Sequence, residues 1–72
     1  MVHIIGKGIL QPYSQDVSLS DQVCVEKLIQ LLHLPEKLAN NLLVVRGHNL
    51  LYGNEMINAN DEIVLFLTAM GG

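Results

Sequence analysis

The residues with chemical potential stand at the end of the chain, where Gly71 and Gly72 follow a mostly apolar run. A C-terminal carboxylate has a reference pKa of about 3.5, so it is ionised at neutral pH and needs activation before it reacts as an electrophile. Glycine lacks Cβ and fits a narrow recess. From Ala69 to Gly72 the chain can extend roughly 10 Å, at about 3.4 Å per residue. We therefore expect a tail that carries its carboxylate into the active site of another protein. A frayed end or an expression scar would give the same two letters.

The other reactive side chains are isolated from one another in the sequence. Cys24 is the only cysteine and stands beside the start of a predicted helix, where a thiol can be activated, although a small core residue is the more common role. The three histidines, His3, His33 and His48, show no metal-ligand spacing. No nucleophile, base and orienting group occur together. We therefore expect neither a metal site nor an enzyme.

Composition restricts the class of partner. The 72 residues suit one small domain, and 50% of them are hydrophobic against 15% charged, which predicts apolar surface left over for binding another protein. The net charge is −3, and the four basic residues are scattered rather than clustered: Lys7, Lys27, Lys37 and Arg46. A nucleic-acid partner is therefore not expected. With a lone cysteine, no leader-like start and no apolar run of membrane-spanning length, the sequence predicts a cytoplasmic protein without a membrane partner.

The clearest periodic pattern predicts one helix. Apolar residues recur at i, i+3, i+4 and i+7, at Val25, Leu28, Ile29 and Leu32. Cys24 is one possible N-cap, and Ser20 or Asp21 could begin the helix earlier. Pro35 is expected to end it.

The remaining segments predict strands and turns. The predicted strands are Met1–Leu10, Asp16–Leu19, Leu42–Val45, Leu50–Tyr52 and Ile63–Thr68, with Met56–Ile57 as an apolar plug. Positive φ is expected at Gly47, Asn49 and Asn60. Tyr13 and Tyr52 are expected to be half-buried. Two hairpins around one helix predict an α+β roll, a mixed sheet of four to five strands crossed by the helix, with the first and last strands adjacent at its centre.

Three segments resemble the ubiquitin-like β-grasp sulfur carriers of the ThiS/MoaD family. They are the helix opening Val25–Ile29, the acidic turn Asn60-Asp61-Glu62-Ile63 and the terminal Gly71-Gly72. Asn60 replaces the glycine that is usual in that turn, and Cys24 replaces the usual Thr or Ser before the helix. Leu67–Met70 lacks the proline pair common in MoaD, so the resemblance is closer to ThiS.

The resemblance implies a fold and a chemistry. It implies a β-grasp domain over residues 1–69 and a flexible tail over 70–72, with Met70 and Gly71 leading to a reactive Gly72. An E1-like enzyme would use ATP to adenylate the Gly72 carboxylate, and a persulfide from a cysteine desulfurase or rhodanese-type donor would convert it to a thiocarboxylate. A second enzyme, a sulfur-accepting synthase, would then receive the sulfur. The carrier itself would bind no cofactor.

The resemblance also orients the last strand. Alternation separates Ile63, Leu65 and Leu67 from Val64, Phe66 and Thr68. In the family the residue after the acidic pair points inward, so Ile63 and Leu65 are expected in the core. Val64, Phe66 and Thr68 are then expected to contact the partner.

Two other functions remain compatible with the same residues. A protein modifier would use the same adenylate but transfer Gly72 to a lysine of a target protein. A β-grasp interaction domain would carry its glycines incidentally. The tail would serve a sulfur carrier and a protein modifier equally, so the sequence does not separate these two functions.

Overall fold

A computed structural model describes residues 1–68 of the chain, so the predictions for Met70, Gly71 and Gly72 lie outside the described residues. The strands are β1 Val2–Gly6, β2 Gln15–Val17, β3 Val23–Cys24, β4 Leu42–Arg46, β5 Asn49–Leu51, β6 Met56–Ile57 and β7 Glu62–Leu67. The helices are a 3-10 helix Gly8–Tyr13, α1 Val25–Leu32 and α2 Glu36–Ala39.

Within residues 1–68 the strands form a five-stranded mixed sheet in the order β2-β1-β7-β4-β5, and β3 pairs with β6 in a separate small ladder. β1 and β7 run parallel at the centre, and the other pairs of the large sheet are antiparallel. One main helix, α1, packs across one face of the sheet. The predicted α+β roll with adjacent first and last strands is confirmed, and the arrangement is β-grasp-like.

The core lies between α1 and the inner face of the sheet. The apolar stripe of α1 supplies Val25, Leu28 and Leu32, which are buried, and Ile29, which packs against them. The buried sheet residues come from alternate positions of the strands: Val2, Ile4, Val44, Leu51, Ile63 and Leu65. Leu10 and Ile57, both fully buried, complete the core. The helix periodicity and the strand alternation read from the sequence are therefore both confirmed.

The end of α1 differs from the prediction. His33, not Pro35, ends the helix: it adopts the left-handed conformation at φ 53°, and its N–H donates to the Gln30 carbonyl. A left-handed residue at this position closes a helix by satisfying its last carbonyls. Pro35 is instead the N-cap residue of α2, a four-residue helix for which the sequence shows no periodic pattern.

Three other predictions are wrong in detail. The first strand stops at Gly6 instead of Leu10, because the chain then folds over β1 as the 3-10 helix. The returning strand is Gln15–Val17, shorter and one residue earlier than predicted. Of the three residues expected at positive φ, only Gly47 is there, at φ 64°, while Asn49 lies in β5 and Asn60 in the turn before β7 has negative φ.

Gly6 permits a close approach that fixes this corner of the sheet. A Cβ at Gly6 would lie 2.0 Å from the Leu10 carbonyl oxygen, whereas a Cβ at Gly53 would make ordinary contacts with Glu26. Gly6→Ala must therefore displace backbone, and Gly53→Ala need not.

We expect Gly6→Ala to lower the free energy of unfolding by about 3 kcal/mol, the upper part of the range for overpacking. Gly53→Ala is the matched control and should change it by no more than about 0.5 kcal/mol. Urea denaturation followed by circular dichroism measures both. Equal stability of the two variants would show that the 3-10 helix can move away from β1 at no cost.

Candidate functional site

The site begins with β7, the central strand that leads to the tail. Ile63 and Leu65 are fully buried, while Val64 is half-buried and Phe66 is 40% exposed on the other side of the sheet. The predicted orientation of the strand is therefore confirmed. Phe66 is exposed because α1 covers only one face of the sheet.

The neighbouring strands extend this surface. Val64 lies beside Ile5 of β1 and Val45 of β4, and Phe66 lies opposite Leu43. Leu50 of β5 lies opposite Val45. Residues in register share a face of the sheet, so these side chains form one apolar surface. We call it the outer face: Ile5, Leu43, Val45, Leu50, Val64 and Phe66.

Charged residues border one end of the outer face. His3 Nδ1 lies 2.6 Å from Asp16 Oδ1, and Glu62 lies beside His3 in the parallel ladder. All three side chains are exposed. At the opposite end stand Phe66 and the exit of β7. The outer face is therefore an apolar surface with a charged border at the end remote from the tail.

The exit of β7 is held by the main chain. The Thr68 N–H donates to the Asn41 carbonyl at 2.7 Å, just before the start of β4. Thr68 lies beyond β7 and is half-buried, so its placement with Phe66 as a partner contact stays a prediction. The hydrogen bond fixes where the tail leaves the body.

The start of β7 is held by Asp61, the acidic residue of the turn. Its Oδ2 accepts hydrogen bonds from Arg46 Nη1 and from the Asn58 N–H, both at 2.9 Å. Arg46 also donates to the Met56 carbonyl, and the His3 N–H donates to the Asp61 carbonyl. The half-buried Asp61 carboxylate thus ties β4 to the turn, and the Asp61 backbone carbonyl ties β1 to the residue that precedes β7. The turn positions the strand and holds no reactive group.

Sequence analysis missed part of this surface. Ile5, Leu43, Val45 and Leu50 join the outer face through strand register, which alternation within a single strand does not reveal. The scattered position of Arg46 in the sequence gives no sign of its ion pair with Asp61. A signal was available in Leu42–Val45, where four consecutive apolar residues require that one pair face away from the helix.

Other predicted roles are revised or restricted by burial. Tyr52 was expected to be half-buried but is 67% exposed, whereas Tyr13 is half-buried as expected. Cys24 is the N-cap residue before α1, makes no side-chain capping bond and is only half-buried, so it is not a residue of the buried core. His33 and His48 are exposed at the helix end and in the β4–β5 turn. Among residues 1–68 no group of three His, Cys, Asp or Glu side chains is placed to hold a metal.

Comparison with known proteins adds no relative: no protein-family model matches the sequence, and no curated protein matches it. The resemblance to the sulfur carriers therefore stays a prediction from the sequence. Within the described residues, no helix combines the length and the apolar character needed to cross a bilayer.

Substitutions at two adjacent residues of β7, one buried and one exposed, test which face of the strand lies in the core. Leu65→Ala should lower the free energy of unfolding by about 3 kcal/mol, because it leaves a cavity beneath α1. Phe66→Ala should lower it by about 1 kcal/mol or less. Both are measured by urea denaturation, and a larger loss for Phe66→Ala would mean that the outer face is covered in solution.

Proposed function

We propose that this protein is a sulfur carrier that acts through the carboxylate of Gly72. The observation that carries the proposal is the placement of β7. The strand that leads to the tail occupies the centre of the sheet, is anchored at both ends, and displays Phe66 on an open apolar face beside its exit. Such a body can be held by a partner while the tail enters the active site of that partner.

Partner enzymes catalyse every step of this chemistry, and the carrier supplies only its C-terminal carboxylate. An E1-like enzyme transfers AMP from ATP to the Gly72 carboxylate and releases pyrophosphate. The terminal sulfur of a persulfide, supplied by a cysteine desulfurase or a rhodanese-type enzyme, attacks the acyl carbon and AMP leaves. Reduction of the resulting acyl disulfide by a thiol frees the thiocarboxylate. A synthase that makes a cofactor, a thiolated tRNA base or a sulfur metabolite then takes the sulfur.

Two properties of the described residues support a protein partner over a nucleic acid. The outer face is apolar at its centre, and the side chains at its border include two acids, Asp16 and Glu62. Arg46, the basic residue closest to it in sequence, is already engaged by Asp61 at 2.9 Å. An apolar face with a polar border is typical of a protein–protein interface.

The first functional prediction is chemical. Incubation with its E1-like enzyme, ATP and a persulfide donor should add the mass difference between sulfur and oxygen at Gly72, and omission of ATP should abolish the change. Intact-protein and peptide mass spectrometry locate the modification. Deletion of Gly72, or a bulky residue in place of Gly71, should prevent it while circular dichroism stays unchanged.

Three results distinguish the alternatives. A persulfide on Cys24 would add a whole sulfur atom, be removed by a mild thiol and disappear in Cys24→Ser, so it would contradict a carrier that acts at Gly72. A conjugate linked to a lysine would assign the protein to the modifiers. If the correct enzyme is present and no ATP-dependent change occurs, the result favours the interaction domain.

The second functional prediction concerns the outer face. Phe66→Ala should weaken binding to the activating enzyme by more than about 1 kcal/mol, the usual threshold for a contributing interface residue. Leu31→Ala is the matched control, because Leu31 is also 40% exposed but lies on α1, across the core from the outer face. Isothermal titration calorimetry should show little change for Leu31→Ala. Equal weakening by both variants would show that the partner does not use the outer face.

A further inference from the structure

A second surface lies at the edge of the sheet, where β4 extends past its neighbour. β4 has five residues and β5 has three, and their pairing stops where Val44 meets Leu51. Leu42 and Leu43 continue to pair with β7 on one side. On the other side no strand accompanies them within residues 1–68. We call this gap the notch.

Backbone alternation shows which groups face the notch. The Asn41 carbonyl accepts a hydrogen bond from the Thr68 N–H, so this carbonyl points toward β7. Successive residues of an antiparallel strand direct their backbone groups to opposite sides, so the N–H and C=O of Leu42 point away from β7 and into the notch. Neither group has a backbone partner there among residues 1–68. The notch therefore offers one donor and one acceptor of a strand edge.

The segment after β5, which would cover this edge if the strand continued, bonds to the start of α1 instead. After Leu51 it turns toward α1, where the Gly53 carbonyl accepts the Glu26 N–H at 3.1 Å and the Glu55 carbonyl accepts the Val25 N–H at 2.9 Å. The Tyr52 N–H donates to the Glu55 carboxylate at 2.8 Å. The first two bonds satisfy the first N–H groups of a helix that lacks a side-chain cap, and the pairing with β4 does not continue past Leu51.

A pocket opens beside the bare edge. Its volume is about 300 Å³, at the lower end of the usual range for ligand pockets. The wall is apolar, formed mainly by Val25, Ile29, Leu42 and Leu51, and among residues 1–68 Glu26 is the one charged residue that lines it. Tyr52, exposed as described above, forms part of the rim. The space suits one bulky apolar side chain beside a positive charge.

We propose that the notch binds a short extended segment of a partner protein, which pairs with Leu42, inserts one apolar side chain into the pocket and places a lysine or arginine near Glu26. A bare strand edge is the feature that extended peptides recognise, with main-chain bonds giving affinity and a pocket giving specificity. The basic residue follows from Glu26 and from the net charge of −3. This inference does not rest on the chemistry at Gly72, since all the residues that carry it lie within residues 1–68.

The probe is a blocked hexapeptide of alternating valine and leucine with a lysine at each end, and the control peptide has glutamates in place of the lysines. Each is titrated into the full-length ¹⁵N-labelled protein. Chemical-shift changes should centre on Leu42, Ile29 and Tyr52, and hydrogen exchange of the Leu42 amide should slow when the peptide is bound. The lysine peptide should bind more tightly by about two- to fivefold, the factor that one exposed ion pair supplies.

Two variants test the assignment. Glu26→Gln should remove most of the preference for the lysine peptide, whereas Glu62→Gln, which changes the net charge equally but removes an exposed acid at the other end of β7, should leave most of it. Well-dispersed spectra of both variants show that they are folded. Shift changes confined to the outer face, or an unchanged rate of exchange at Leu42, would overturn the proposal. Binding by a chain that ends at Thr68 but not by the full-length chain would also overturn it, because the occupant would then be the chain's own tail.

Discussion

The parallel pairing of β1 with β7 is the constraint on which the rest of the structure depends. For the last strand to lie beside the first and parallel to it, the chain must cross back along the sheet, and α1 makes one such crossing, between β2 and β4. The β1–β2 hairpin then occupies one side of the pair and the β4–β5 hairpin the other. A single crossing helix covers a single face. The open outer face is thus a consequence of the topology, and its apolar character is what needs a functional explanation.

That character separates the two faces of β7 chemically. Ile63 and Leu65 are buried in the core beneath α1, so their substitution lowers the free energy of unfolding. Phe66 is exposed, so its substitution can change the affinity for a partner with little effect on folding. The Asp61 and Thr68 hydrogen bonds fix both ends of the strand without using its outer side chains. A rigid strand lowers the entropy that a partner must remove when it positions the following residues. This is why a central strand suits a body that presents a tail better than an edge strand would.

The parts that were predictable from sequence are those set by local periodicity. The spacing of Val25, Leu28 and Leu32 fixes the buried side of α1, and alternation fixes the sides of β7. The parts that were not predictable depend on contacts between distant residues. His33 adopts the left-handed conformation although glycine is the usual residue at that position. Tyr52 is exposed in a segment whose Gly53 and Glu55 carbonyls accept hydrogen bonds from the first N–H groups of α1. The members of the outer face from β1, β4 and β5 depend on register, which a single strand does not encode.

The capping of α1 links the helix to the edge of the sheet. Cys24 supplies no side-chain acceptor, so the Val25 and Glu26 N–H groups are satisfied by carbonyls from the segment after β5. Gly53, which would lie opposite Leu42 if the β4–β5 pairing continued, is held at the start of α1 instead, and the strand edge is left bare. Leu43 and Leu50 belong to the outer face and also line the pocket of the notch. A protein bound on the outer face would therefore border the notch, so occupancy of one surface would change the surroundings of the other.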